Sequence, residues 1–241
     1  MRIGILGTGT LAAALGEGWA RAGHEVLIGG RSQVRAEKLA ERLGHGVLAV
    51  APREAVTGRD AVLLAVSWDG VEDMLRLAGA SDGLLEGTPL IDPTNAVAHG
   101  VGALLTQPGE PMARRIAELA PGAHVVKAFH LFPADQWTSQ WTSQWTSQWT
   151  GQRAGQRAAR RTSPPGAAGS RVTVAMCGDD TAALRIVGEL VRGVGGTPAT
   201  LGALDRVHQL EEVAGFVIGL AFAGFDPNSA IPRVPSSPAV D

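Results

Sequence analysis

The sequence predicts an α/β fold, a doubly wound parallel sheet followed by a small C-terminal strand–helix region, and three observations carry that prediction. Short apolar runs alternate along the chain with helical segments. One of them, Ala61-Val62-Leu63-Leu64-Ala65-Val66, is apolar without interruption, as a strand covered on both faces requires. The first run enters Gly7-Thr8-Gly9-Thr10-Leu11-Ala12, a glycine turn of spacing G-x-G-x-x-A between strand and helix.

Taken in order, the elements begin with a strand at Ile3–Leu6, the glycine turn, a helix to about Ala22 stopped by Gly23, and a second strand at Glu25–Ile28. Gly46–Ala51 reads as a third strand, Pro52–Gly58 as a short helix and Asp60–Ser67 as the fourth strand. Val71–Ala78 is helical, Pro89–Asp92 is the fifth strand, Pro111–Ala120 an amphipathic helix and His124–His130 the sixth strand. Trp137-Thr138-Ser139-Gln140 is then repeated twice more and begun a fourth time at Trp149-Thr150, and Gly-Gln-Arg-Ala follows twice. Four of the six tryptophans fall in that repeat. It reads either as an expansion tolerated in a surface loop or as a tryptophan-lined ridge over the site or toward a partner. Arg171–Cys177 returns to strand, Asp180 caps a helix from Thr181 to about Val194, and Thr197–Thr200 is a short strand. Leu204–Phe225 is a long helix, polar at its start and apolar all round afterwards, which predicts burial against the first domain or a second subunit. The expected organisation is a nucleotide domain over 1–136, a repeat insertion over 137–170, a small α/β region over 171–225 and a proline-rich tail over 226–241.

Composition narrows the function classes. A net charge of −2, from 21 basic and 23 acidic residues, leaves no basic field for nucleic acid. The single cysteine, Cys177, precludes an internal disulfide and fits a reducing, cytoplasmic compartment; inside an apolar strand it reads as a packed, inert thiol. Met1-Arg2 leads directly into the first strand, so no secretion signal is expected. The longest apolar stretch, Val213–Phe225, is too short to span a bilayer, and no metal-ligand cluster stands out.

In a Rossmann-type doubly wound sheet, ligands bind beyond the carboxyl ends of the strands. Gly7 permits the tight turn, Gly9 admits a pyrophosphate, and the helix opening with Thr10 and Leu11 offers free N–H groups to the phosphates. Where an NAD-binding chain carries an acid at the tip of the second strand, this one has Arg31, Ser32 and Arg35, which favours the 2′-phosphate of NADP(H). Lys38 reads as a helix-surface charge. Ser67-Trp68, Thr94-Asn95 and His130–Ala134 occupy the other strand ends. Asn95 reads as a ligand for the nicotinamide amide or ribose, or as a turn residue after Pro93. Trp68 stacks near the cofactor or fills a helix–sheet gap, and Asp92 anchors its turn or acts chemically. His130 is the candidate proton donor by position and side-chain type, with a backbone-bonded structural histidine as the other reading. His99 and His208 are weaker alternatives, both readable as surface groups.

The chain resembles the coenzyme F420-dependent NADP oxidoreductases. The resemblance rests on the opening G-T-G-T-L-A, on Gly30-Arg31-Ser32, on Ser67-Trp68, on Val126–Ala134 (VKAFHLFPA) and on Cys177-Gly178-Asp179-Asp180. It implies that Thr8, Gly9, Thr10 and Leu11 cradle the pyrophosphate and that Arg31, Ser32 and Arg35 hold the 2′-phosphate. It also implies that Val66, Ser67 and Trp68 line the ribose and nicotinamide, that Ala134 offers backbone to the carboxamide, and that His130 faces the ring of the second substrate. In that family hydride passes between stacked rings, so positioning dominates the chemistry. The repeat follows Pro133-Ala134 directly, where those enzymes have a short connection, and Asp92–Asn95 adds polar groups at the fifth strand end.

Three functions therefore stand at this point. The first is hydride transfer between NADPH and a deazaflavin, coenzyme F420. The second is NADPH-dependent reduction of a C=N, C=C or C=O bond in a small or biosynthetic substrate. The third is a non-catalytic NADP(H)-sensing protein. A homodimer through the Val213–Phe225 face is expected, with no nucleic-acid or membrane partner.

Overall fold

The computed structural model describes residues 1–98, 101–106, 110–138 and 172–232. Eight strands form one sheet in the order β3-β2-β1-β4-β5-β6-β7-β8. They are β1 (Arg2–Leu6), β2 (Glu25–Gly29), β3 (Leu48–Val50), β4 (Ala61–Leu64), β5 (Pro89–Asp92), β6 (His124–Lys127), β7 (Thr173–Gly178) and β8 (Thr197–Thr200). Helices α1 (Thr10–Arg21), α2 (Gln33–Leu43), α3 (Pro52–Val56), α4 (Val71–Leu77), α5 (Met112–Leu119), α6 (Thr181–Gly193) and α7 (Val207–Phe222) complete the described elements. The sheet is parallel from β3 to β6, as the apolar strands require. At β7 it departs from the expected all-parallel arrangement: β7 runs antiparallel to β6, with Lys127 opposite Cys177, and β8 then lies parallel to β7. The two C-terminal strands thus lengthen the first sheet, an edge arrangement common in otherwise parallel folds.

The strand order steps outward in both directions from β1 and β4, so their carboxyl ends flank the topological switch where a ligand crevice opens. One face of the sheet is covered by α1, α2 and α6, around Ile3, Ile5, Leu15, Trp19, Phe129 and Val187. The other is covered by α4, α5 and the start of α7, around Leu64, Met74, Leu90, Ile116, Cys177 and Leu210. Trp19 ties the first of these layers together, since its buried indole N–H donates to the Leu190 carbonyl of α6 at 3.0 Å and its ring meets Phe129 edge-on.

Several element ends move from their sequence positions for local reasons. β6 stops at Lys127, three residues before the predicted His130, because Phe129 takes a left-handed conformation with φ of 63°. That turn sends the Phe129 ring into the α1 layer, between Trp19 and Trp137. Trp137, the first residue of the repeat, is itself buried against Phe129 and Phe132. The rest of the repeat from residue 139, the linker to 171 and the tail from 233 lie outside the described residues, as does His99. α7 begins after a tight 3-10 turn at Leu204–Arg206, and its apolar second half is only partly covered. Val213, Phe216 and Phe225 are exposed, so among the described residues the all-round burial expected of this segment is met at its start and not beyond. No described helix is long and apolar enough to cross a membrane.

Candidate nucleotide and substrate site

The first turn is built where three strand ends converge. The Gly7 N–H donates to the Gly29 carbonyl at 2.8 Å, which joins the ends of β1 and β2. Gly7 has φ of 132°, and a Cβ there would collide with the carbonyl of Ala65 beyond β4. A side chain at this position is excluded on both counts. At Gly9 the situation is the reverse: a Cβ would meet nothing within 4 Å, so the backbone faces open space. Gly9 also caps α1 with no side-chain acceptor, and α1 has no acid in its first turn. The first N–H groups of this twelve-residue helix are left for an anion, with the helix dipole behind them. Thr8 is half-buried beside Gly30, Thr10 is exposed on the first turn, and Leu11 and Ala12 tuck behind it.

At the tip of β2, Ser32 caps its own helix with its hydroxyl oxygen, which leaves the O–H to donate to a ligand. Its hydroxyl accepts from the Arg35 N–H at 3.4 Å and caps α2. Arg31 and Arg35 are exposed, and neither forms a salt bridge among the described residues. Arg31 reaches over Gly70, in the turn that follows β4, where the Ser67 hydroxyl also sits. The hydrogen bond from Ser67 holds the exposed Asp69 carboxyl below its ordinary range, and the Arg31 charge adds to that effect. The structure therefore brings Arg31, Ser67, Trp68 and Asp69 to one rim. Trp68 is 39% exposed there, Val66 is half-buried behind it, and Asp69 is a neighbour the sequence reading had not singled out.

The far end of the crevice, beyond β5 and β6, is organised by buried charge. Lys127, Asp92 and Glu211 are at most 1% exposed. The Lys127 ammonium donates to Asp92 Oδ2 at 3.0 Å, to Glu211 Oε1 at 3.1 Å and to the Thr94 carbonyl at 2.5 Å. Asp92 Oδ1 accepts from the Thr94 N–H at 2.8 Å and the Thr94 hydroxyl at 2.6 Å. Glu211 accepts from the N–H groups of Met112 and Ala113 at 3.0 and 3.2 Å, the first residues of α5. Burial alone would lower the lysine's pKa, but the two carboxylates outweigh it and leave the pKa raised, so the ammonium is retained. Asp92 is thus an anchor of its turn. Lys127 and Glu211 were missed as a pair: a lysine inside the apolar run Val125-Val126-Lys127-Ala128-Phe129 was the available signal, since a strand interior tolerates such a charge only when it is paired.

Asn95 and His130 stand directly beyond this network. The Asn95 amide donates to the His130 carbonyl at 2.6 Å, while its own oxygen Oδ1 has no partner. His130 is 5% exposed, and neither ring nitrogen finds a partner among the described residues. Burial, helped by the Lys127 charge, pushes its pKa down from 6.5 to about 3. The ring is neutral at pH 7, which withdraws the imidazolium that an acid role at neutral pH would draw on. Ala134 opens the short turn Ala134–Trp137 after Pro133 and is half-buried. Cys177, opposite Lys127, is buried with its thiol pushed up to about 11, chiefly by desolvation, as an inert thiol should be. His208 is exposed with Nδ1 2.8 Å from the Asp205 carbonyl. Asp179 and Asp180 serve the fold: Asp180 caps α6 at the Ala183 N–H, and Asp179 accepts from Leu204 N–H.

The two halves of the crevice fit a dinucleotide by their own features. One end has the open cradle at Gly9, the free helix N–H groups and two arginines without a salt bridge among the described residues; the other has an unpartnered amide oxygen and a neutral imidazole. Comparison with known proteins agrees. Residues 2–96 match the family described as NADP oxidoreductase, coenzyme F420-dependent. The metalloreductase STEAP3 of Rattus norvegicus is 27% identical over 212 residues, which cover 88% of this chain and 36% of that protein. The chain therefore spans about a third of the length of that curated relative. A hypothetical protein from Sinorhizobium meliloti has the same fold with a TM-score of 0.65, at 26% identity and 85% coverage of both chains. A candidate F420-dependent NADP-reductase from Arthrobacter sp. FB24 superimposes with a TM-score of 0.70 over 93% of this chain and 96% of its own; at 23% identity that likeness is one of fold.

The buried neutral histidine sets a pH dependence of stability. A histidine whose pKa is lower in the folded than in the unfolded chain opposes folding once the unfolded ring binds a proton. Its contribution is therefore intact above pH 6.5 and is lost as pH falls from there toward about 3. Urea unfolding across that window should show stability falling on acidification, with His130 contributing a slope of up to about 1.4 kcal/mol per pH unit. His130→Gln should flatten that slope whatever its effect at pH 7; parallel curves for the two proteins would contradict the assignment.

Proposed function

We propose that this chain, whose residues 2–96 match the coenzyme F420-dependent NADP oxidoreductase family, transfers hydride between NADPH and a deazaflavin of the F420 type. The coarser statement, an NADP-dependent oxidoreductase, follows from that family. The observation that carries the finer one is His130. Reduction of a C=O bond needs a proton delivered as hydride arrives, and the residue best placed to give it is a buried, neutral imidazole; a C=N bond that enters as an iminium ion needs none, and the turnover measurement below separates it from the deazaflavin. Hydride exchange between two stacked rings asks for no such group; it asks for alignment.

In this reading the nucleotide lies across the carboxyl ends of β1, β4, β5 and β6. Thr8 to Leu11 hold the pyrophosphate with backbone N–H groups and the α1 dipole. Arg31 and Arg35 engage the 2′-phosphate with charged donors and Ser32 with its O–H, while the Ser32 oxygen caps the first turn of α2. Val66, Ser67 and Trp68 border the ribose and nicotinamide. Asn95 Oδ1 accepts from the carboxamide NH2, the Ala134 backbone binds its other side, and the His130 ring borders the second substrate as a neutral hydrogen-bonding wall. The cofactor supplies the hydride; the chain's own residues fix the ring, exclude water from it and leave one face open.

A second copy of the chain is the proposed cover for α7. Val213, Phe216 and Phe225 are 43%, 52% and 66% exposed, and Leu131, Leu201, Leu210, Val213 and Phe216 line an apolar groove beside them. Such a surface lowers its free energy by pairing with itself across a two-fold axis. Sedimentation equilibrium should give a dimer that Phe216→Lys splits; a monomeric wild type would contradict it.

Two measurements test the reaction. Mixed with NADPH and oxidised coenzyme F420 in a stopped-flow instrument, the protein should bleach the deazaflavin band rapidly, and more slowly with NADH. Tight NADPH binding without bleaching would leave the nucleotide reading standing and remove the deazaflavin. Arg31→Ala should weaken NADPH binding by about 1–3 kcal/mol, the scale of a lost charge-assisted contact, and leave NADH nearly unaffected. Equal losses for both would contradict the 2′-phosphate assignment.

A further inference from the structure

We infer that Glu211, on the C-terminal helix, acts through Lys127 as a positioning residue for the nicotinamide end of the site, so that the packing of α7 governs alignment of the reacting ring. This rests on the functional reading above and adds to it three residues, Glu211, Lys127 and Thr94, that touch neither cofactor nor substrate in that reading.

The chain of contacts is short and almost wholly shielded from water. Glu211 Oε1 holds the Lys127 ammonium at 3.1 Å, and that ammonium holds the Thr94 carbonyl at 2.5 Å. Asp92, bound to the same ammonium, takes both the N–H and the hydroxyl of Thr94. Thr94 is thereby fixed at its carbonyl, its N–H and its side chain, and the residue that follows it is Asn95. With its backbone so placed, Asn95 reaches the His130 carbonyl and keeps its oxygen unpaired for a ligand donor.

Two features argue that this network does more than stabilise the fold. A salt bridge between strand neighbours Asp92 and Lys127 would satisfy the sheet, and a third charge from a distant helix adds a further desolvation penalty. Glu211 offsets that penalty by accepting from the first two N–H groups of α5, which ties α5, α7 and the ends of β5 and β6 to one point. The same helix also grips the chain downstream of Asn95. The Gly102 carbonyl approaches Gly215 so closely that a Cβ there would lie 2.7 Å from its oxygen. α7 thus holds the Asn95 segment from both sides, and its outer face is the apolar surface assigned to a second copy.

The test compares the full chain with Glu211→Gln and with a neutral network, Asp92→Asn with Lys127→Met and Glu211→Gln. Replacing a buried ion cluster as a whole keeps the fold more reliably than removing one partner, so the triple variant guards against simple unfolding. Each protein is titrated with NADPH, followed by nicotinamide fluorescence, and with 2′,5′-ADP, which carries the 2′-phosphate but no nicotinamide; kcat with the deazaflavin is measured in parallel. The expected result is a Kd for 2′,5′-ADP within twofold of wild type in both variants, with kcat lower by about 10–100-fold and the nicotinamide fluorescence change reduced. Variants that match wild type in kcat and fluorescence would overturn the inference. So would a parallel loss of 2′,5′-ADP and NADPH binding, the mark of a purely structural role. A wild-type chain that does not bind NADPH would overturn the functional reading, and this inference with it; a wild type that binds while the variants behave identically would overturn this inference alone.

Discussion

The buried ammonium of Lys127 is the constraint on which the substrate half of this molecule depends. An ammonium at 0% exposure is tolerable only if its donors are all taken, and here they go to Asp92, Glu211 and the Thr94 carbonyl. Each acceptor belongs to a different part of the fold. Asp92 ends β5, Thr94 begins the loop beyond it, and Glu211 arrives from a helix more than eighty residues further along the chain. Satisfying one charge therefore assembles four pieces of backbone. The formal excess of one negative charge in the cluster is balanced by neutral donors, two from Thr94 and two from the start of α5.

The two ends of the crevice solve opposite electrostatic problems. At the proposed phosphate end the positive charge is exposed, carried by Arg31 and Arg35 and reinforced by the unsatisfied N–H groups of α1; a highly charged anion can be gathered there without the desolvation that burial would impose. At the proposed ring end Lys127 is sealed beneath the surface. Its field reaches His130 and, together with burial, keeps the imidazole neutral. In the proposed reading, a neutral, unpartnered edge suits a ring that must approach another ring.

Much of this was legible in the sequence, and the reasons are particular. The strand–turn–helix at Ile3–Ala12 was readable because its spacing leaves few other uses for Gly7 and Gly9, and the uninterrupted apolar runs identified the covered strands. Arg31 at the tip of β2 was readable by the absence of an acid. The end of β6 was not, because the left-handed Phe129 is imposed by packing between Trp19 and Trp137 and has no local sequence mark. The antiparallel entry of β7 depends on a long connection whose direction composition does not encode. Glu211 was grouped with the polar, solvent-facing start of the last helix, since nothing local to Glu211-Glu212 says that one of the pair is 1% exposed and the other is on the surface. Only pairing across the fold distinguishes them, and the clue lay instead in Lys127, a charge written into an apolar strand.

The most direct measurement follows from the presence of only two lysines, Lys38 and Lys127. With side-chain nitrogen-15 label confined to lysine, NMR should show two ε-nitrogen signals: one from exposed Lys38, and one from a buried ammonium whose protons exchange slowly with water. The account predicts that the second stays protonated above pH 10.5, the ordinary value for a lysine, because the two carboxylates raise its pKa against the pull of burial. A buried lysine that instead loses its proton below pH 10.5 would mean that desolvation wins, and the paired cluster on which the substrate end of the proposed site is built would not exist as described.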